Sequence, residues 1–458
     1  MGKYKRPLAR SPSVSAQEHV LRDGRPVPEV FTVESPCFLG NEDIPFFRYT
    51  DQKFFDSEME KMWSRTWQWA CREEHIPEVG DYYVYEVGPL SVFIVRNSDS
   101  SIRGYVNSCL HRGTKFKAAS SEGSCSEIRC PFHGWSWDLS GNLKNVPYDW
   151  DAPHVGEHEF KLPEVQVDTW GGFVFVNFDM DAAGLTGYLD PLPVHFENFS
   201  LADRFIELHV EKELDCNWKA AVEAFIENYH TQQTHPQLLM GSDDEGTQYD
   251  VFTDHVSRFF CAFGVASPSV DPKPTDQELL DMTLVGDRSL LGDDLKVKAG
   301  ESARMAMARV LRKSLGETYR CDLTKYTDTE MIDVSQYGLF PNMILFPQLS
   351  LPMIYRFRPI GLDPSKTLFE LIVLRPIPDE GKRPLPARPF RLGPNDSFTQ
   401  VPGFDENLGV VYDQDTGNLR LQQEGLAAAR KEGATLLNYQ EVRVRLLHQT
   451  LDRYLQDK

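Results

Sequence analysis

The apolar positions along the chain fall into two regimes. Between about residues 66 and 180 they alternate with polar ones or form short β-branched and aromatic runs, as in "DYYVYEVGPLSVFIVRN" and "GGFVFVNF", each punctuated by Gly-Pro or Gly-Gly. A period of two with that punctuation predicts strands joined by tight turns. After Pro191 and Pro193 the spacing changes to three and four. "NWKAAVEAFIENYH" and "SARMAMARVLRKSLGETY" predict helices there, and two more are expected at about 416–431 and 437–456. Apolar strand-like runs, "MILFPQLSL", "MIYRFRPIGL" and "TLFELIVLRPI", lie between the helices. The expected fold class is α+β: an all-β N-terminal domain, then a mixed domain with helices packed on an antiparallel sheet. A short amphipathic helix is expected at about 54–65, and the polar, proline-punctuated opening reads as an extended arm free to wrap a neighbouring subunit. The domain boundaries set this way are 1–45 for the arm, 46–182 for the β domain and 183–458 for the mixed domain.

Composition narrows the function classes. With 458 residues, 41% of them hydrophobic, the chain can fill real cores. A formal charge of −20 argues against nucleic acid or an anionic membrane as partner, because both would repel it. The first thirty residues lack the apolar stretch of a signal peptide. The most hydrophobic run, Leu339 to Tyr355, is broken by Pro341, Gln348 and Pro352 and reads as buried strand and turn. Eight scattered cysteines do not make a disulfide framework, so a reducing cytoplasm is expected.

Four residues stand apart from this background. Cys109 and His111 form Cys-x-His, and after eighteen residues Cys130 and His133 form Cys-x-x-His. Two loops of this kind can converge four ligands on one inorganic centre. Zinc would be redox-silent and usually takes Cys-x(2–4)-Cys knuckles, whereas here each loop carries one ligand of each type. The mixed order suits a Rieske [2Fe–2S] cluster, in which one iron keeps two thiolates and the other takes two imidazoles. "CLHRG" and "CPFHGWSW" closely resemble the loops of Rieske domains, and the Arg-Gly and Gly-Trp that follow the histidines resemble the oxygenase branch. The respiratory branch adds a cysteine to each loop and a serine after the second His-Gly; Thr114, Phe132 and Trp135 stand there instead. Fewer donors around the sulfides imply a potential toward the low end of the Rieske range of about −150 to +300 mV. Cys125, off the spacing, is read as a free thiol.

A second constellation follows about a hundred residues later. On an unbroken helix Glu223, Glu227 and His230, at i, i+4 and i+7, would fall within about 20° of one another, with His235 about 140° away. The helix must therefore loosen or end before His235, and Pro236 favours an ending there. Two imidazoles and one carboxylate on one side of an iron would form a facial triad, with the opposite side open to O2 and substrate. On its own His-x4-His is as readily a pair of structural histidines. Asn217-Trp218-Lys219, Glu223, Glu227, Tyr229-His230 and His235-Pro236 are together similar to the iron-binding helix of ring-hydroxylating oxygenase α subunits.

The resemblance runs from about residue 45 to the end. It implies a Rieske domain followed by a helix-grip-like catalytic domain, a [2Fe–2S] cluster on Cys109, His111, Cys130 and His133, and a mononuclear Fe(II) on His230, His235 and a downstream aspartate. In "VVYDQDTGNLRLQQEGL" that aspartate is Asp415, with Asp413 as the alternative, although Asp415 before Thr416-Gly417 also suits a helix N-cap. Glu227 stands where many family members carry an aspartate that bridges a Rieske histidine and an iron histidine across a subunit boundary. The resemblance further implies a homotrimer, with or without a separate β subunit. No two glycines are spaced Gly-x-Gly and there is no four-cysteine ferredoxin run, so electrons are expected from a separate NAD(P)H-dependent reductase, with or without a ferredoxin. The expected function is the oxygenase component that adds one or both atoms of O2 to an apolar, aromatic or alicyclic, small molecule. Phe225, Ile226, "VSRFFCAFGVA" and "LFPNMILFPQLSLPMIYRF" are the expected pocket lining. The rivals are a Rieske electron carrier or redox sensor without a catalytic iron, and a zinc-structured binding protein.

Overall fold

Alternation in the first half produces strands, of which Asp81–Val87, Leu90–Arg96 and Ile102–Val106, and again Glu164–Trp170 and Phe173–Asn177, pair as consecutive hairpins. In the computed structural model, which describes residues 10–156, 159–283 and 295–456, the chain divides into two compact units. The first comprises 56–188 and 359–363. Its strands are β1 (Gln68–Arg72), β2 (Asp81–Val87), β3 (Leu90–Arg96), β4 (Ile102–Val106), β5 (Glu122–Ser124), β6 (Ile128–Arg129), β7 (Ser136–Trp137), β8 (Leu143–Asn145), β9 (Glu164–Trp170) and β10 (Phe173–Asn177). Seven make an antiparallel sheet in the order β1-β10-β9-β4-β3-β2-β5, and β6-β7-β8 form a small second sheet. Gly88 and Pro89 turn β2 into β3, so that Tyr82 faces Val95 and Val87 faces Leu90. The inward residues Val84, Phe93, Val95, Tyr105, Phe116, Ile128 and Trp137 form one core, and Cys109 and Cys130 are buried in it. The loop after β4 and the β6–β7 hairpin therefore both leave from this core.

The second unit comprises residues to Phe55, 189–358 and 364–456. Strands β11 (Arg204–Leu214), β12 (Gln248–Val251), β13 (Val256–Cys261), β14 (Val334–Leu339), β15 (Met343–Leu345), β16 (Met353–Pro359), β17 (Thr367–Pro376) and β18 (Phe390–Leu392) form a sheet ordered β12-β13-β14-β15-β16-β17-β11-β18. The last pair, β11 with β18, is parallel, and β12-β13, β13-β14, β14-β15, β15-β16 and β11-β17 are antiparallel. The helices that bear on the site are α1 (Phe47–Thr50), α2 (Trp218–Glu223), α3 (Thr231–Thr234), α4 (Glu406–Ala428) and α5 (Val442–Leu455). Helix α2 packs on β17, α4 on β11 and α5 on β12. The α+β class read from the sequence is the observed one.

Three expectations are corrected. The opening arm does not stand off from its unit: Ala16, Val20 and Phe31 are buried against Phe199, Phe260, Met307 and Met331, because three apolar side chains among polar residues are enough to dock it. Residues 46–55, assigned to the β domain, also belong to this unit, where Tyr49 is buried against Glu223. Helix α4 starts ten residues before the expected 416, its N-cap being Asp405, whose side chain accepts the Leu408 N–H at 3.0 Å. Asp415 is thus inside a helix and not at its start. Among the described residues no helix is long and apolar enough to cross a membrane.

Candidate metal centres

The two Cys/His loops share one backbone frame. The Cys109 N–H donates to the Thr114 carbonyl (2.9 Å) and the Gly113 N–H to the Cys109 carbonyl (2.9 Å); the Cys130 N–H donates to the Trp135 carbonyl (2.8 Å) and the Gly134 N–H to the Cys130 carbonyl (3.1 Å). Each is a tight hairpin of i to i+5, and each needs a left-handed residue at i+4, supplied by Gly113 (φ 76°) and Gly134 (φ 79°). The histidine sits at i+2 in one loop and i+3 in the other. Both cysteines are buried while His111, His133 and Phe132 are exposed, and the two imidazole centroids are 4.6 Å apart at 77°. Trp135 stacks on His111 at 5.0 Å and 2°, so a ring and not a hydroxyl backs that imidazole. Burial pushes the Cys109 thiol up, and the adjacent Cys130 adds to the shift.

In the second unit His230, His235 and Asp415 come together. Asp415 Oδ1 lies 2.7 Å from His235 Nε2 and 3.5 Å from His230 Nε2. The other ring nitrogens are already engaged: His230 Nδ1 donates to Glu227 Oε1 (2.6 Å), and His235 Nδ1 to Gln414 Oε1 (2.8 Å), which also accepts from Gln237 Nε2. With Nδ1 protonated, each Nε2 turns a lone pair toward the Asp415 oxygen. Three acceptors thus meet at one point. Burial depresses the His230 pKa, but Glu227 and Asp415 outweigh it and hold the pKa above the ordinary value. Asp413, two residues along α4, faces elsewhere and accepts from the Phe398 N–H and Ser397 hydroxyl.

The unbroken helix expected from Asn217 to His230 is not observed. Helix α2 ends at Glu223, so Glu223, Glu227 and His230 do not lie on one continuous helix, although all three line one cavity. Instead Glu227 Oε2 accepts the N–H groups of Tyr229 and His230, capping a new turn that becomes α3. The backbone groups freed by the break go to buried side chains: Gln336 donates to the Phe225 carbonyl, Arg443 Nη1 to the Ile226 carbonyl (2.9 Å), and the Asn228 N–H to Tyr249 (3.0 Å). This break brings His230 and His235 within reach of one point, their centroids 5.2 Å apart. A cavity of about 510 Å³ lies beside the cluster, lined by Tyr49, Glu223, Glu227, His230, Asp415 and Glu441 among others. It is walled by helices and not by the strands expected to line it. Those strands pack their aromatics onto one another, Phe225, Tyr355, Phe357, Phe369 and Tyr412 standing 4.7–6.4 Å apart.

Residues 201–457 match the family model of the ring hydroxylating alpha subunit (catalytic domain), and 66–155 match the Rieske [2Fe-2S] domain. The chain belongs to the ring-hydroxylating α-subunit family. It is 32% identical over 192 residues to benzene 1,2-dioxygenase subunit alpha of Pseudomonas putida, 41% of this chain and 42% of that one. It is 26% identical over 191 residues to the glycine betaine monooxygenase oxygenase subunit of Pseudomonas aeruginosa, covering 42% and 44%. The chain thus spans less than half the length of the curated relatives it matches. A solved quaternary ammonium Rieske monooxygenase superposes over 94% of this chain and 100% of its own, with TM-score 0.63 and 17% identity, a likeness of fold.

The cofactors of this family, a Rieske [2Fe–2S] cluster and a mononuclear iron, fit the two arrangements of side chains described above. Two buried thiols behind two exposed imidazoles have the asymmetry that a cluster with one thiolate-bound and one imidazole-bound iron requires. Three lone-pair-bearing atoms converging without a donor among them suit a cation. A second buried group, His209, Glu211 and Glu370, does not: Glu370 is already paired with Arg356 and Arg358, and Glu211 with Arg391. Gln414 was not foreseen from the sequence, although it adjoins Asp415. Gln336, Arg443 and Tyr249 carry no sequence signal for a role at the site.

Proposed function

We propose that this chain is the terminal oxygenase component that adds one or both atoms of O2 to an apolar small molecule, with electrons from a separate NAD(P)H-dependent reductase, with or without a ferredoxin. The observation that carries this is the convergence of His230 Nε2, His235 Nε2 and Asp415 Oδ1, in the same chain as the paired Cys/His loops. In this reading Cys109, His111, Cys130 and His133 hold the cluster, and His230, His235 and Asp415 hold the iron. Bound there, the cluster stores one electron at a time and the ferrous ion supplies the open positions at which O2 reacts.

The side chains of this chain do the rest. Glu227 fixes the tautomer and direction of His230, Gln414 does the same for His235, and each makes its Nε2 the ligating atom. Glu227 would also bridge to a Rieske histidine of a neighbouring copy in a trimer, and such an assembly predicts a solution mass about three times that of the chain. The cavity beside the three converging atoms is lined in part by Phe46, Leu419, Leu426 and Val444, which favours an apolar, aromatic or alicyclic, substrate. The similarity to a benzene dioxygenase α subunit supports that class. Cationic quaternary ammonium compounds, which aromatic rings also bind, are the competing class. Eight cysteines scattered without a framework spacing favour a reducing compartment.

The test is anaerobic purification with iron and sulfide analysis and EPR of the reduced protein. Three irons and two sulfides per chain with a Rieske signal are expected; two irons and two sulfides would make it an electron carrier, and one zinc without sulfide a structural zinc protein. Turnover with a reductase, offering neutral arenes against quaternary ammonium compounds, then decides the substrate class.

A further inference from the structure

Four titratable side chains beside the iron site hold no metal in the reading above. Tyr49 on α1 donates to both Glu223 oxygens (2.9 and 3.0 Å), and His448 Nε2 on α5 lies 2.8 Å from Glu223 Oε1 and 3.0 Å from the Tyr49 hydroxyl. All three are buried, and the carboxylate, phenol and imidazole are hydrogen-bonded to one another. Glu441, at the start of α5, accepts the Leu437 N–H at 2.6 Å. Tyr49, Glu223 and Glu441 open into the same 510 Å³ cavity as Glu227, His230 and Asp415.

The surroundings of Glu441 favour a neutral carboxyl. Burial raises its pKa most, Glu227 and Glu223 across the cavity raise it further, and the Leu437 N–H and Arg445 oppose them, leaving it pushed up to about 7. Arg445, one turn along α5, gives its Nη1 to the Glu42 carbonyl (2.6 Å). His448 and Tyr49 are engaged with Glu223. Glu441 can therefore release and regain a proton near neutrality.

The chemistry has a use for one. Adding one atom, RH + O2 + 2e⁻ + 2H⁺ → ROH + H2O, and adding both, RH + O2 + 2e⁻ + 2H⁺ → RH(OH)2, each consume two protons for two electrons. We propose that Glu441, backed by the Tyr49–Glu223–His448 network, is a proton store that feeds the iron site through the shared cavity. This rests on the oxygenase reading. Glu441 does not touch the reacting atoms: it is a positioning residue for protons, losing one to the cavity as electrons arrive and recovering it from bulk solvent.

Infrared titration of the holoenzyme tests this with no substrate, electrons or O2. A protonated-carboxyl C=O band with a midpoint near pH 7 is expected in the native protein, absent from Glu441→Gln and restored by Glu441→Asp. In the second measurement the chemically reduced holoenzyme is mixed with O2 and cluster reoxidation is followed by absorbance. The rate attributable to the mononuclear iron is expected to fall above pH 7 in the native protein. In Glu441→Gln it should be about 10-fold slower at pH 6 and flat with pH, at unchanged iron content. A missing band, a band untouched by Glu441→Gln, identical pH profiles, or a variant that loses its iron each overturn the store. Failure of the infrared arm leaves the oxygenase reading standing, whereas a native chain with no mononuclear iron overturns both.

Discussion

The two candidate metal centres are built by opposite means. The Cys/His centre is local: its four residues lie within a 25-residue stretch, on two hairpins whose main-chain bonds and left-handed glycines are set by the loop sequences themselves. The His/His/Asp centre is assembled over distance. Asp415 is 180 residues from His235, and the helix break that aims the histidines is held by Gln336, Tyr249 and Arg443, each from a different element. A local centre fails only when its own loops change; a distributed one fails when a remote support does.

The sharpest way to break the comparison is at the ligands. Cys130→Ser is expected to abolish the cluster, its visible absorbance and its EPR signal, while mononuclear iron, measured in the same preparation, stays bound. Arg443→Met should do the reverse. It leaves the Ile226 carbonyl without its buried donor, a loss of about 1–3 kcal/mol, so iron occupancy should fall while the Rieske signal is unchanged. If that variant keeps its iron, the centre is less dependent on remote support than the geometry implies. Gln414→Ala removes only the partner of His235 Nδ1, and an iron affinity about 10–100-fold weaker is expected by competition with a chelator. Gly134→Ala meets no atom closer than 3.5 Å, so its cost is the left-handed backbone alone, about 1–2 kcal/mol, visible as a lower unfolding midpoint for the first unit.

The smallest effect concerns pH. Glu441 has its folded pKa raised from 4.5 to about 7. Its neutral form is the one the fold favours, so that contribution is complete below pH 4.5 and lost as pH rises through 7. Glu441→Gln should therefore melt higher than the native protein above pH 7, by about 2–4 °C for each kcal/mol recovered, and no higher below pH 4.5. A constant difference across pH would place the effect elsewhere.

This contrast also explains what the sequence reveals. The spacing and flanking residues of the loops carry the first centre because its geometry is a property of those loops. The strand-rich first half and the helices at 303–319 and 442–455 are legible for the same reason: periodicity and caps are local signals. The second centre was legible as a set of residue types, His230, His235 and Asp415, but not as a shape. Helical periodicity continued α2 through Glu227, and nothing nearby says that Glu227 will cap a new turn or that Arg443 will take the Ile226 carbonyl. Propensity likewise placed the start of α4 at Asp415-Thr-Gly, where tertiary packing starts it at Asp405. The aromatic runs were read as pocket lining because composition cannot distinguish a wall packed on itself from one facing a void.

The dependence of the second centre on α5 also sets an order of maturation. Synthesis runs from the N-terminus, and early domains fold before later ones leave the ribosome. Asp415 follows His133 by 282 residues, and Arg443 comes later still. The cysteine loops can close on their cluster while most of the polypeptide is unmade; the ferrous site has no scaffold until α5 has emerged and docked. On the proposed ligand assignment, loading of the two inorganic groups would be sequential, and a nascent chain stalled before α5 would be brown yet unable to retain its third iron.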